Sequence, residues 1–268
     1  MKDTTNVIIL PEFNPFAIQF DGFGIRWYAL AYIAGLLFGY YLLRRQAREL
    51  GAPMNVAQLD SLLNYVLIGI ILGGRLGYVL FYNPIFFISN PMEIIKVWQG
   101  GMAFHGGLLG VTLAMVLFAR RNSIQVLHVS DRVAMVLPIG LFLGRLSNFI
   151  NGELFGRVSD LPWAMVFPHS DGAPRHPSQL YEAGLEGLCL GSAMLIAVRW
   201  GWLTSPGRIT GLLLTGYGLA RFLVEFVREP DTHLGLLAGG LTMGQLLCMP
   251  MIAAGIYLLI RAQKRWQV

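Results

Sequence analysis

Seven stretches of the chain are almost free of charge, and short polar runs separate them. They cover roughly 25–43, 60–82, 104–119, 132–150, 179–198, 208–227 and 241–260. Each is close to the ~20 residues an α-helix needs to cross the apolar part of a bilayer. In hydrocarbon only helices or closed barrels satisfy every backbone N–H and C=O, and no apolar-polar alternation of period 2 supports a barrel. The pattern predicts an all-α polytopic membrane protein of about seven transmembrane helices, forming one integral-membrane domain over 1–268. Gly74-Arg75-Leu76 and Gly144-Arg145-Leu146 recur in two spans of the same direction, but two such short matches do not make a repeat.

Composition narrows the class. Of 268 residues, 55% are hydrophobic and 13% charged, against roughly a quarter charged in an average soluble domain. A soluble globular domain, a disordered chain and a coiled coil are all disfavoured. Residues 1–24 contain Asp3, Glu12, Asn14 and Asp21 and no apolar run behind a basic start, so no signal peptide is expected. Cys189 and Cys248 both lie in apolar runs, with neither metal-ligand spacing nor a disulfide framework. No metal or other cofactor is expected.

The net charge of +5 matters through its placement rather than as a nucleic-acid footprint, since cytoplasmic loops of membrane proteins collect Lys and Arg. Eleven of the twenty Lys and Arg lie in one set of alternate loops: Arg44, Arg45, Arg48, Arg120, Arg121, Arg132, Arg199, Arg208, Arg261, Lys264 and Arg265. Six (Lys2, Arg26, Lys96, Arg157, Arg175 and Arg228) are spread over longer segments on the other side. The N-terminus is therefore expected outside and the C-terminus in the cytoplasm. The richer outer loops, 83–103 and 151–178, should form a small outer cap.

The remaining three arginines, Arg75, Arg145 and Arg221, fall inside spans, where an ionisable residue marks a functional site by default. They stand seven, five and six residues from the predicted outer ends, a depth of roughly 7–11 Å at ~1.5 Å per helical residue. Polar companions share that level. Tyr28 opens the first span, His105 the third, and Gln179, Tyr181 and Glu182 the fifth. Arg145 and Asn148 precede Asn151 and Glu153, while Tyr217, Arg221, Glu225 and Arg228 recur at helical spacing on one face. His176 begins a further face with Gln179, Glu182 and Glu186. The other halves of the spans, such as 36–43 and 111–118, hold almost nothing ionisable.

The plainer reading of these residues is structural: paired struts such as Arg221 with Glu225, or arginines reaching to the interface. Trp27, Tyr32 and Trp98 fit an aromatic belt. Gly106 and Gly107 beside His105 admit either a ligand or a neighbouring backbone. Three cations at one depth nevertheless favour a site for an anionic group, most simply a phospholipid phosphate, which guanidinium matches bidentately. A neutral histidine can take a proton from a nucleophile. An outer-leaflet anionic-lipid enzyme or binder follows. An organic-anion transporter would need a polar path through both halves of the bilayer, which the plain cytoplasmic halves lack.

The run Gly144-Arg145-Leu146-Ser147-Asn148-Phe149-Ile150-Asn151-Gly152-Glu153 resembles the signature of the bacterial prolipoprotein diacylglyceryl transferases. So do Phe104-His105-Gly106-Gly107-Leu108, Arg175-His176-Pro177-Ser178-Gln179-Leu180-Tyr181-Glu182, and the Tyr217, Arg221, Glu225 and Arg228 face. Ser147 stands where many relatives would be expected to carry Gly, a change between small residues. The resemblance implies a seven-helix enzyme of the bacterial plasma (inner) membrane with its site toward the outer leaflet and no cofactor. Its partners would be phosphatidylglycerol, prolipoprotein signal peptides with a lipobox cysteine, and membrane lipids, not nucleic acid. It implies transfer of a diacylglyceryl group from phosphatidylglycerol to the cysteine thiol, with release of glycerol 1-phosphate. Arg145 and Arg221 would hold the phosphate, and His105 would deprotonate or orient the thiol. Tyr28, Asn148, Asn151, Glu153, Glu182 and Tyr217 would bind substrate. Arg75, Gly156, His176, Glu225 and Arg228 would be structural or gating.

Overall fold

The structure is a computed structural model that describes residues 7–20, 23–49, 51–229 and 240–264. Lys2, Asp3, Asp21 and Arg265, used above, lie outside them. In chain order the elements are strands β1 (Ile8–Ile9), β2 (Phe16–Phe20) and β3 (Phe23–Arg26), then helices α1 (Trp27–Gln46), α2 (Val56–Phe81), α3 (Pro84–Ser89), α4 (Phe104–Arg121) and α5 (Val126–Ile150). Strand β4 (Met165–Val166) is followed by α6 (Ser178–Glu182), a π-helical segment over Ala183–Cys189, α7 (Leu190–Arg199), α8 (Arg208–Val224) and α9 (Met243–Lys264). Helix is found in every predicted span. Four stretches, Val56–Phe81, Val126–Ile150, Ser178–Arg199 and Met243–Gln263, are long and apolar enough to cross a membrane.

Three expectations need correction. The chain is not wholly helical: β2 and β3 pair antiparallel, and β1 pairs with β4 in parallel, Ile8 opposite Met165 and Ile9 opposite Val166. The fifth span is not one regular helix, since it widens into the π segment. The sixth stops at Val224, so Glu225 and Arg228 stand in the turns just beyond it rather than on its face.

The described chain falls into two compact units, Leu43–Ser130, and Met1–Leu42 with Asp131–Val268. In the first, Asn55 opens α2 with a capping box: its side chain accepts from Gln58 N at 2.9 Å, and Gln58 Oε1 accepts from Asn55 N at 3.0 Å. Gly69, Gly73 and Gly77 then lay α2 directly on Gly106 and Gly110 of α4. A Cβ on Gly77 would stand 2.7 Å from Gly106 Cα, and one on Gly73 2.8 Å from Gly110 Cα. Small residues at such a crossing let backbones make the contact, which suits helices with no hydrophobic drive to separate from lipid. Gly106 is thus accounted for by a neighbouring backbone, whereas a Cβ on Gly107 would meet nothing closer than 3.9 Å.

In the second unit α1 meets α5 at Gly35 against Gly140 and Gly39 against Val136, and α8 meets α9 at Gly211 and Gly255. Asp131 of α5 caps α8. Its carboxylate accepts from Gly207 N, Thr210 N and Thr210 Oγ1 at 2.6–2.7 Å, and a buried carboxylate at a helix N-terminus is favoured by the exposed amides and the dipole. The 151–178 segment is an ordered cap. Met165 exchanges backbone hydrogen bonds with Arg175, Gly156 bridges to Arg228, and Leu10 N donates to Val166 O. The 83–103 segment belongs to the other unit and folds there as α3 followed by two 3₁₀ turns.

Candidate active site: a carboxylate-linked arginine cluster

The Arg145–Glu153 run ends α5 and then folds back on it. Gly152 adopts the left-handed region (φ 64°). Gly152 N donates to Phe149 O and Glu153 N to Asn148 O, both at 3.0 Å, which is the glycine-dependent helix stop that satisfies the last carbonyls. The turn carries the Glu153 carboxylate back to Asn148 Nδ2 (2.9 Å) and Asn151 Nδ2 (3.4 Å). The backbone of the same turn holds α6. Gln179 Nε2 donates to Glu153 O at 2.7 Å, and Ser178 Oγ to Leu154 O at 3.0 Å. One turn further along lies Glu182.

Glu182 is fully buried and gathers three arginines. Arg145 Nε stands 2.9 Å from its Oε2, Arg221 Nη1 donates to its Oε1, and Arg228 Nη1 lies 3.1 Å from the same oxygen. Two more carboxylates complete the group. Glu225 Oε2 is 2.9 Å from Arg221 Nη2, and Glu186 Oε2 is 3.8 Å from Arg145 Nη2. Glu186 is also fully buried, and neither of its oxygens has a hydrogen-bond partner among the described residues. The π segment places it, and Gly187 lets that segment press on α5, where a Cβ would come 2.6 Å from Phe142 Cβ. A π segment within a helix is a frequent mark of a functional site.

Three guanidinium groups therefore face three carboxylates, and the pairing compensates charges that would be prohibitive alone in an apolar medium. The two signs sit at different depths. The carboxylate side chains are 0–7% exposed and the arginine side chains 15–17%. The carboxylates lie beneath, and the arginines keep an accessible edge. Such an edge, fixed from behind, can receive an anionic group without first reorienting. Tyr217, one turn before Arg221, is near enough to interact with Glu186, Arg221 and Arg145.

The cap holds Arg228 in place. Arg157 Nε donates to Arg228 O at 2.8 Å, and Gly156 has no room for a side chain, since a Cβ would run into Val227 O and stand 2.7 Å from His176 Cβ. Arg175 ties the cap together through Asp171, Glu229 and Gly156 O. Its guanidinium holds the Asp171 carboxyl below the usual range. Burial lowers the His176 pKa and favours the neutral ring. His176 Nδ1 is 3.3 Å from Tyr181 Oη, which accepts from Trp163 Nε1 at 2.7 Å.

The family comparison decides the class: the sequence model of the prolipoprotein diacylglyceryl transferases matches residues 15–261. The chain belongs to that family. Among its relatives is the phosphatidylglycerol–prolipoprotein diacylglyceryl transferase of Rhodospirillum rubrum, 54% identical over 257 residues, which are 95% of this chain and 94% of the relative. The enzymes of that name from Methylocella silvestris and Bordetella avium are 52% identical over 264 residues and 50% over 260. Each comparison spans at least 95% of this chain and 97% of the relative. With its long apolar helices, this family member is a multi-pass membrane protein.

Of the residues predicted from sequence, this diacylglyceryl transferase homologue brings Arg145, Glu182, Tyr217, Arg221, Glu225 and Arg228 into one cluster, with Asn148, Asn151, Glu153, Gly156 and His176 in the turns that support it. Tyr28 hydrogen-bonds Tyr32 through the two hydroxyls at 2.9 Å. His105 and Arg75 belong to the other unit. His105 is exposed in the first turn of α4, with its ring edge on Phe104. Arg75 is buried, and its Nε and two Nη atoms donate to the carbonyls of Ile94 (2.8 Å), Gly100 (2.5 Å), Gly101 (3.2 Å) and Glu93 (2.6 Å) over the Phe87 ring. Its role there is to hold the 93–101 loop. Sequence reasoning gave no role to Glu186, Arg157 or Thr242. Only Glu186 carried a signal, its spacing of four from Glu182.

Proposed function

We propose that this chain transfers the diacylglyceryl group of phosphatidylglycerol to the lipobox cysteine thiol of a prolipoprotein, releasing glycerol 1-phosphate. This is the first step of bacterial lipoprotein maturation. The product keeps its phosphate, so the bond that breaks joins the diacylglyceryl carbon to a phosphate oxygen. The bond that forms joins that carbon to sulfur. The phosphodiester monoanion becomes a monoester, and negative charge grows on the departing oxygen. Arg145 and Arg221 hold that phosphate and meet the growing charge from a low-dielectric surrounding, where fixed donors act most strongly. Glu182 anchors both arginines and Arg228 from below, and Asn148, Asn151 and Glu153 shape the glycerol side of the pocket together with Tyr28 and Tyr217.

The thiol, with an ordinary pKa near 8.5, must lose its proton to become a good nucleophile. His105 removes that proton or orients the thiol, and the arginines favour the thiolate by their charge. Seven spans with the N-terminus outside, the C-terminus in the cytoplasm and the site toward the outer leaflet of the inner membrane fit the distribution of Lys and Arg. The observation that carries the reading is the set of three guanidinium edges above buried carboxylates, in a chain of this family. Mass spectrometry of a lipobox peptide incubated with the purified protein and phosphatidylglycerol vesicles tests it. The expected result is an adduct of diacylglyceryl mass on the cysteine, absent with Arg145→Ala. A folded protein that binds phosphatidylglycerol but forms no adduct overturns it in favour of an anionic-lipid binder.

A further inference from the structure

The first turn of α9 is built around the Glu225 carboxylate. Gln245 N donates to Thr242 Oγ1 at 3.2 Å, and Thr242 N donates to Gln245 Oε1 at 3.1 Å, a reciprocal cap. Having accepted from the helix, the Thr242 hydroxyl sends its one proton to Glu225 Oε1 at 3.0 Å. The other Glu225 oxygen holds Arg221 Nη2. Glu225, Thr242 and Gln245 are all buried. Gly244, between them, makes the space: a Cβ there would lie 2.8 Å from both Cδ and Oε1 of Glu225.

A helix cap alone does not need these features. Asp would cap the turn without a proton to give, and Gly inside a helix is less favourable than Ala. Both choices make sense if the turn serves the carboxylate, which also gains from the free amides at a helix N-terminus. Arg221 is then pinned at two nitrogens, one by Glu182 and one by Glu225, so its plane cannot rotate.

We propose that Thr242, Gly244 and Gln245 form a positioning element for the transfer reaction: they fix Glu225 and, through it, aim the Arg221 guanidinium at the lipid phosphate. This rests on the phosphate role given to Arg221. The three residues act through Glu225 and touch no substrate.

The test is initial-rate kinetics with phosphatidylglycerol and a lipobox peptide varied separately, for Thr242→Val, Thr242→Ser, Gly244→Ala and Arg221→Ala. Thr242→Val should lower kcat/KM for phosphatidylglycerol roughly ten- to hundredfold, the worth of one hydrogen bond to a charged group, and leave KM for the peptide unchanged. Thr242→Ser, which keeps the hydroxyl, should restore most of the loss. Gly244→Ala keeps the cap and only crowds Glu225, and it should show the same lipid-selective loss even if Thr242→Val fails to insert. A purely structural cap would lower the melting temperature and reduce kcat/KM for both substrates equally, and that result overturns the proposal. So do wild-type kinetics from folded Thr242→Val or Gly244→Ala while Arg221→Ala is inactive. Wild-type rates from Arg221→Ala would instead remove the phosphate role on which the proposal rests.

Discussion

Arg75 and Arg221 both stand inside apolar runs of the sequence, yet they meet opposite surroundings. Arg75 gives its donors to four backbone carbonyls and lies over a phenyl ring. Arg221 is held by two carboxylates and keeps part of its side chain accessible. Carbonyls satisfy the donors of a guanidinium without cancelling its charge, so the arginine becomes a clamp on whatever loop supplies them. Carboxylates cancel the charge while fixing the geometry, so the cation survives in an apolar site with an edge to spare. A buried arginine is therefore classified by its acceptors, not by its depth.

The strongest way to break this contrast is to remove each cation. Arg145→Ala and Arg221→Ala should each reduce turnover about 10²–10³-fold or more, the range for a preorganised group facing developing charge. Adduct formation on a lipobox peptide measures it. Arg75→Met should leave KM for phosphatidylglycerol unchanged, and a large rise would put Arg75 in the substrate site after all. Glu182→Gln comes next. It keeps the shape but leaves three arginines to two carboxylates, and breaking a buried pair costs about 3–5 kcal/mol. Thermal unfolding in detergent should show the loss, together with a fall in turnover.

Third is the stability effect of Arg75→Met, which strands carbonyls of the 93–101 loop at about 1–3 kcal/mol for each one left buried and unpaired. Limited proteolysis should find new cleavage between 93 and 101. The smallest effect concerns the cap. The folded-state pKa of His176 is depressed, so as pH falls below its ordinary ~6.5 the unfolded chain takes up the proton first and the cap loses stability. The Asp171 carboxyl, also depressed, adds stability that is lost only under more acid conditions, below the ordinary ~3.9. Hydrogen-exchange protection factors of the 156–176 amides, taken relative to the intrinsic exchange rate at each pH, should therefore fall between about pH 7 and pH 5, and His176→Gln should abolish that dependence.

The helices were legible because each apolar run is long and local, and the polar residues that converge on Glu182 share a depth that counting along helices recovers. The rest depends on contacts between distant segments. The paired strands Phe16–Phe20 and Phe23–Arg26 were missed because both are short and too apolar to show alternation. The π segment leaves no periodic trace over seven residues. Gly and Leu flank both Arg75 and Arg145, and the acceptors that separate them, carbonyls at 93–101 for one and Glu182 for the other, lie far along the chain from each. Thr242 was invisible as a partner of Glu225 because seventeen residues divide them.

The ion pairs of the cluster are also far apart in the order of synthesis. Arg145 is made 37 residues before Glu182 and 76 before Arg221. At roughly 5–20 residues per second, the first gap lasts roughly 2–7 s. The glycine crossing of α2 and α4, by contrast, needs nothing beyond Arg121 and can close before Arg221 is made. The nascent chain thus carries an unanswered arginine into the membrane and settles its charge only when the later helices arrive. A message cut short between residues 150 and 182 would leave that arginine without its carboxylate and the protein without its central anchor.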